Sequence, residues 1–284
     1  MRNGKCRDEG FSRLQFVIFH LSLVICQILL SALASSSAGP YLAGADAAGE
    51  QVVLRYLSES ARKDAVLSMA VDYTEPGKER LHLEFTWMRK IKQGLASHLL
   101  RIETPESEKG KLLLVREKPG GGADYLAYRP GSVLKKKVRI TGAREYKFKA
   151  LTVSVQELIG GELLMYTHEF KGDQTLDGVP CRLVESTLQS RFRNDSGYPR
   201  TRIFFRRDTG MPLRWELFGK SGLLEKIISI EEVRKIDGIW TIARARVEDL
   251  KKKGRLALTL KVVNYHPDLK DSLFTEEYLR QASR

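Results

Sequence analysis

Apolar and polar residues alternate along most of this chain. A period of two puts every second side chain on the same face, which is typical of a β-strand with one buried and one solvated face. An antiparallel sheet of such strands has an apolar surface that another part of the protein must cover. The apolar positions of three such stretches are Leu81, Leu83, Phe85 and Trp87; Met211, Leu213, Trp215 and Leu217; and Leu256, Leu258, Leu260 and Val262.

Turn sequences divide the alternating pattern into about a dozen strands. Asp-Gly pairs that begin at Asp177 and Asp237, and glycine- or proline-containing segments elsewhere, are typical of hairpin connections. The predicted strands cover residues 66–74, 81–90, 96–104, 111–118, 125–128, 134–140, 166–173, 181–189, 200–207, 211–218, 224–232, 240–250 and 256–264.

Three segments depart from this pattern and predict short helices. Residues 50–62 carry apolar side chains at helical spacing. Ser154 and Glu157 have the spacing of a capping box, and the apolar residues after them predict a short helix. Residues 274–279 predict a closing helix with Thr275 as its N-cap. Short helices of this kind are candidates for a plug or a lid.

A sheet of this size curls rather than staying flat. We therefore predict a mainly β fold: a half-open antiparallel β-barrel of about a dozen strands with short lid or plug helices. Its apolar side chains either fill a closed core or line a ligand cavity, and both alternatives stay open. The candidate groove residues are Leu83, Phe85, Trp87, Leu213 and Trp215.

The N-terminal part of the chain resembles a secretory signal. Residues 1–34 combine a basic start, a long apolar run and the small-x-small pattern of a cleavage site, so the mature chain is expected to begin at Ser35. The alternative is an uncleaved anchor, because about 20 apolar residues span a bilayer. We expect residues 35–49 to be a flexible lead-in and residues 50–284 to form a single β domain in the periplasm.

The charge of the chain is strongly basic, with 48 Lys and Arg against 35 Asp and Glu and a formal net charge of +13. Basic residues cluster at 135–137, 191–207 and 251–253. They form either solvated strand faces and turns, or a surface attracted to anionic lipid. Nucleic acid is not an expected partner, because the aromatic residues alternate inward instead of forming a stacking platform beside the basic ones.

The sequence offers no catalytic or metal-binding motif. Outside the signal, His82, His98, His168 and His266 are far apart and lack the spacing of zinc ligands. Cys181 is the one cysteine left after the signal and is expected to be a small core residue. We therefore expect a protein that is not an enzyme, with no catalytic residues, no metal and no cofactor.

The order of several segments resembles the outer-membrane lipoprotein-sorting (LolA-like) proteins, and within them a branch of uncharacterised periplasmic members. The resemblance spans roughly residues 50–279 and rests on order and spacing. The segments that carry it are residues 87–90 (WMRK), 125–130 (YLAYRP), 134–140 (LKKKVRI), 148, 154–159 (SVQELI), 178–184 (GVPCRLV), 211–213 (MPL) and 274–275 (FT).

The resemblance implies an open barrel capped by helices that holds acyl chains in its concave face. It implies a periplasmic carrier of lipid or acylated lipoprotein for outer-membrane sorting. In that family an arginine on an inner strand contacts the lid, and Arg89 is the matching position here. The alternative is a lipid-responsive sensor or interaction domain that regulates an inner-membrane partner protein.

Overall fold

Thirteen strands form one antiparallel sheet in this computed structural model, which describes residues 46–61, 63–119, 123–128, 138–139, 161–194 and 196–282. The strands are β1 Ala65–Thr74, β2 Leu81–Lys92, β3 Leu95–Thr104, β4 Leu112–Glu117, β5 Ala123–Tyr128, β6 Val138–Arg139, β7 Tyr166–Leu176, β8 Val179–Leu188, β9 Arg200–Arg206, β10 Pro212–Phe218, β11 Leu224–Ile236, β12 Ile239–Asp249 and β13 Gly254–Asn264.

Each strand pairs with its neighbour in the sequence, with one exception. The strand order is β6-β5-β4-β3-β2-β1-β13-β12-β11-β10-β9-β8-β7. The exception is the first strand, which pairs with the last as well as with β2. Val66 faces Asn264 on β13, and Leu67 faces Trp87 on β2. Among the described strands, β6 and β7 are the two edges, and the sheet is not closed. The prediction of an open, mainly β antiparallel fold is confirmed.

One face of the sheet, here called the inner face, carries a continuous apolar core. Its β1, β2 and β13 side chains include Leu67, Met69, Phe85, Trp87 and Leu256, which are all buried. The inner face continues through β8, β9 and β10, where it meets the first helix. The period-two pattern of the sequence thus becomes the buried surface of the sheet.

The first helix, α1 (Ala47–Tyr56), covers part of the inner face and ends in a single π-helical turn, Leu57–Ala61. It begins three residues before the predicted start, because the Asp46 carboxylate accepts the Ala48 N–H at 3.1 Å and caps the helix. Val53 and Leu57 are its buried anchors and pack with side chains of β8, β9 and β10.

The C-terminal segment covers the opposite, outer face. A 3-10 turn, Asp271–Phe274, leads into α2 (Glu276–Gln281), and Thr275 accepts the Tyr278 N–H as the predicted N-cap. The apolar side chains of this segment pack against β3 and β4, so β4 is buried on both faces. The buried members of this outer cluster are Leu99, Leu112, Leu114, Leu269, Phe274 and Leu279.

Two of the register shifts in the sheet explain why Leu213 and Val262 depart from the alternation that the sequence predicts. The β9–β10 register passes from Pro212 to Arg214, so Leu213 is half-buried and out of phase with Trp215. The β1–β13 register skips Lys261, and Val262 is 65% exposed although its pattern predicts an inward side chain. An extra residue on one strand reverses the facing of the residues beyond it.

Some predicted elements lie wholly or partly outside the described residues. These are the signal, the lead-in up to Ala45, the helix after Ser154 and most of the strand at 134–140, of which only Val138–Arg139 is described.

Candidate functional site

A cavity of about 140 Å³ lies between the inner face of the sheet and the first helix. Strands from both halves of the sheet contribute to it, and the helical segment above the sheet contributes Tyr56 and Ser60. The lining residues are Tyr56, Ser60, Leu67, Met69, Trp87, Arg89, Met211, Pro212, Trp215, Ile228, Ile230, Trp240, Thr241, Ile242, Ala245, Val247, Leu256, Leu258 and Tyr265.

The curl of the sheet creates this cavity. Trp87 on β2 and Trp215 on β10 lie five strand spacings apart in the sheet order, or about 24 Å if the sheet were flat. Both line the same small cavity, so the sheet bends strongly between them. All three tryptophans of the chain, Trp87, Trp215 and Trp240, meet here.

The hydroxyl groups of Thr241, Tyr265 and Tyr56 are polar groups of the lining. Thr241 donates to the Ile239 carbonyl at 3.0 Å and accepts from the Tyr265 hydroxyl at 2.8 Å. Burial raises the pKa of Tyr56 to about 12, with Tyr265 adding to the rise and Arg89 opposing it. At neutral pH the Tyr56 hydroxyl is therefore uncharged.

Arg89 carries the one charge among the described lining residues. It is 5% exposed and continues the inward alternation of Trp87 along β2. Its Nε donates to the Lys63 carbonyl at 2.6 Å, and its guanidinium lies 5.5 Å from the centre of the Trp87 ring. The arginine thus links the cavity wall to the chain that follows the first helix.

Two of the tryptophans differ in how their indole N–H groups are satisfied. Trp87 donates its Nε1–H to His98 Nδ1 at 3.1 Å. Trp215 is only 8% exposed, yet among the described residues its Nε1 has no hydrogen-bond partner. A buried donor without an acceptor is costly, so this atom requires an explanation.

The first helix is fastened to the edge strand β7 beside the cavity. The Asp46 and Glu50 carboxylates accept the backbone N–H groups of Phe170 and His168, at 2.9 and 3.0 Å. Gly49 lies so close to β7 that a Cβ there would be 2.7 Å from the His168 carbonyl oxygen. These contacts protect part of an open sheet edge and hold the helix over the inner face.

The structure distributes the sequence-predicted site residues between the cavity and its surroundings. Trp87, Trp215 and Arg89 line the cavity, whereas Leu83 and Phe85 lie in the buried core of the same face. Leu213 lies at the β10 bulge, outside the lining.

The sequence analysis did not select Trp240, Tyr265 or Tyr56 as site residues. Trp240 had a usable signal, because it is the remaining tryptophan and follows the hairpin turn at Asp237. Tyr265 lies after the last strand, and Tyr56 lies at the helix end. They reach the cavity because the sheet curls, and the local sequence pattern does not predict that curl.

Two further properties concern only the described ranges. They hold no cluster of three His, Cys, Asp or Glu side chains suited to a metal ion. None of their helices is long and apolar enough to cross a membrane.

Comparison with known proteins places this fold. A family model described as that of an uncharacterised protein matches residues 94–281, about two thirds of the chain. A LolA superfamily protein from Nitrosomonas europaea has the same fold, with a TM-score of 0.66, 18% identity and coverage of 81% of this chain and 98% of that one. The chain belongs to the LolA-like family.

Two other solved structures are similar to this LolA-like protein over the same extent. A DUF1329 family protein from Desulfovibrio piger has a TM-score of 0.74 at 24% identity, and covers 82% of this chain and 98% of its own. A putative outer membrane lipoprotein-sorting protein domain from Vibrio parahaemolyticus has a TM-score of 0.72 at 16% identity, with the same coverage. No curated protein matches the LolA-like chain in sequence.

Proposed function

We propose that this LolA-like protein is a periplasmic carrier that binds the acyl chains of lipid or lipoprotein in its inner-face cavity, for sorting to the outer membrane. The observation that carries the proposal is the cavity itself. Aliphatic side chains and all three tryptophans line it, and a short helix covers it. An acyl chain that moves from water into such a site gains roughly 0.8 kcal/mol per buried CH₂ group.

The size of the cavity limits what it holds without rearrangement. A cavity of about 140 Å³ is close to the roughly 150 Å³ that accommodates benzene in an engineered protein core. About six carbon atoms therefore fit, and a longer chain requires the cavity to widen. The first helix is the element proposed to move, because its hydrogen bonds to β7 are few and lie at its N-terminal end. A carrier must also release its cargo, so we expect its affinity for the acyl chain to be moderate.

Native mass spectrometry of protein isolated from the periplasm tests the proposal. We expect co-purifying lipid or acylated peptide, and uptake of palmitate by protein from which the lipid has been removed. Ala245→Phe places a ring in the cavity and should reduce uptake at least tenfold. Ala257→Phe, on the exposed face of the neighbouring strand, should leave it unchanged.

Some results would contradict the carrier proposal. A clean unliganded mass together with no palmitate uptake would exclude an acyl-binding role. Equal uptake by the Ala245→Phe and Ala257→Phe variants would place the acyl site elsewhere on the protein.

A further inference from the structure

The hairpin of β11 and β12 extends beyond both of its neighbours in the sheet. β10 pairs with β11 only as far as Ser229, and β13 pairs with β12 only from Arg244 onward. The part of the hairpin beyond these points, residues 231–243, is here called the arm. Among the described strands, the two halves of the arm pair only with each other.

The arm leaves the sheet at a double irregularity. The β11–β12 register skips Glu231 on one strand and Ala243 on the other, and the single pair Glu232–Arg244 lies between the two skipped residues. Extra residues of this kind interrupt the ladder and bend the strands. A two-stranded hairpin is also only marginally stable by itself. The arm therefore has a place to bend, and it needs contacts with the rest of the protein to hold it in position.

Contacts with the rest of the protein hold the arm over the cavity. Ile236 and Ile239, at its tip, pack against the apolar core of the inner face. The Tyr265 hydroxyl donates to Thr241 of the arm at 2.8 Å. β12 also contacts the π-helical turn Leu57–Ala61, and both elements contribute to the cavity lining. The arm and the end of the first helix therefore meet beside the cavity.

The part of the lining that reaches solvent is concentrated at the arm and its root. The lining residues of β1 and β2 are buried. The half-buried lining residues of β11 and β12 are Ile228, Ile230, Trp240 and Ile242. The mouth of the cavity therefore lies beside the arm.

We infer that the arm is a hinged flap that controls the passage of acyl chains into and out of the cavity. This inference rests on the proposed function and names the element that regulates the site. Bending at Glu231 and Ala243 uncovers the mouth, whereas movement of the first helix widens the cavity for a longer chain. Elements that open in this way come from the least stable parts of a fold, and their opening sets the rate of ligand exchange.

The rates of palmitate uptake and release test the flap, and stopped-flow tryptophan fluorescence measures both. Tyr265→Phe removes the hydroxyl group that bonds Thr241 but keeps the ring. Because the loss of one hydrogen bond favours the open arm, uptake and release should both become roughly fivefold faster, with an unchanged dissociation constant. Tyr56→Phe is the matched control, since it makes the same change in the same lining but on the helix, and both rates should follow the parent.

Other kinetic outcomes would overturn the inference. Faster release without faster uptake would make Tyr265 part of the binding wall rather than a latch for the arm. Equal rates in the parent and the Tyr265→Phe variant would mean that the arm does not limit the passage of the ligand.

Hydrogen exchange followed by mass spectrometry locates the element that moves. In the free protein, residues 231–243 should exchange faster than residues 244–249, which pair with strands on both sides. Palmitate should slow exchange in the arm, and Tyr265→Phe should speed it there but leave residues 47–56 of the first helix unchanged. Equal protection of the arm and residues 244–249 would contradict the flap. Failure of palmitate to bind the unsubstituted protein would instead contradict the proposed function, while exchange in the free protein still decides whether the arm opens.

Discussion

Single side chains in this protein acquire properties that their sequence neighbours do not indicate. His168 is 3% exposed, donates its Nε2–H to the Leu163 carbonyl and accepts from the Ser186 hydroxyl. Burial is the main reason that its pKa falls to about 4. The ring is therefore neutral at ordinary pH, and both of its nitrogens are used to join β7, β8 and the turn before β7.

His168 should make folding stability depend on pH. In the unfolded chain its pKa is about 6.5, so between pH 6.5 and pH 4 the unfolded state takes up a proton that the native state refuses. Stability from this group is therefore complete above about pH 6.5 and falls by up to roughly 3 kcal/mol as the pH approaches 4.

Urea unfolding of parent and His168→Gln proteins at several pH values measures this effect. The variant should have a flatter dependence between pH 6.5 and 4, whereas His266→Gln, which changes an exposed histidine, should follow the parent. Identical slopes in parent and His168→Gln would show that the ring does not titrate as argued.

At the same scale, the sequence could identify part of the cavity. The alternation along β2 is regular, so Trp87 and Arg89 were correctly assigned to one face. The sequence could not show that Leu213 and Trp215 differ in their burial. The bulge that shifts Leu213 depends on pairing with β9 rather than on local composition. The unsatisfied indole of Trp215 is likewise a property of three-dimensional surroundings and has no sequence signal.

Elements in this fold are defined by what covers them. The four consecutive buried residues Leu112 to Val115 form a strand with a helix segment on one face and the inner core on the other. Such a run indicates two-sided burial, whereas the alternating strands indicate burial on one face. The number and order of the strands followed from the pattern, but their pairing order did not, because the pairing of β1 with β13 is non-local.

The attachment of the first helix to β7 should depend on the missing side chain at Gly49. Gly→Ala within a helix normally stabilises by about 1 kcal/mol. Here the new methyl group would lie 2.7 Å from a backbone oxygen of β7, so Gly49→Ala should destabilise the protein and loosen the helix over the cavity.

Thermal unfolding and the dissociation rate of bound palmitate measure the two effects. Gln51→Ala, an exposed change in the same helix, is the control and should be nearly neutral. A stabilised Gly49→Ala protein with unchanged palmitate release would mean that the helix is not held against β7 in this way.

The C-terminal segment should stabilise the sheet without contributing to the cavity. Phe274 is buried on the outer face, so Phe274→Ala should cost about 3–5 kcal/mol of unfolding free energy. Leu223→Ala, at a side chain that is 70% exposed, should cost less than about 0.5 kcal/mol. Palmitate binding per folded molecule should be the same in both variants, and selective loss in Phe274→Ala would connect the outer cluster to the site.

The whole molecule combines a strongly basic surface with an apolar interior. Many arginines on the sheet pair with acids, as when Arg200 and Arg202 both bond Glu185, and exposed pairs of this kind contribute little to stability. The turn between β12 and β13 exposes three successive lysines, Lys251 to Lys253. We propose this turn as a candidate surface for contact with anionic lipid.

Replacing two of these lysines should weaken attachment to anionic vesicles. Lys251→Gln with Lys252→Gln should reduce binding by about 2 kcal/mol at low salt, or roughly 30-fold, and the difference should shrink as salt is added. Lys253 is left in place because its φ of 56° makes substitution a backbone change as well. Vesicle co-sedimentation measures the effect, with neutral phosphatidylcholine vesicles as control. Equal binding by parent and variant would assign the attraction to other residues.

The pairing of β1 with β13 has a consequence for how the chain is made. The ribosome produces β1 first and β13 last, yet the two lie side by side at the middle of the sheet. Until β13 is made, the strands β1–β6 and β7–β12 are two separate meanders. Their open edges at β1 and β12 could pair with strands of other chains. Only the final strand joins them, so a nascent chain shortened by that strand would be two loose ribbons rather than a smaller copy of the finished sheet.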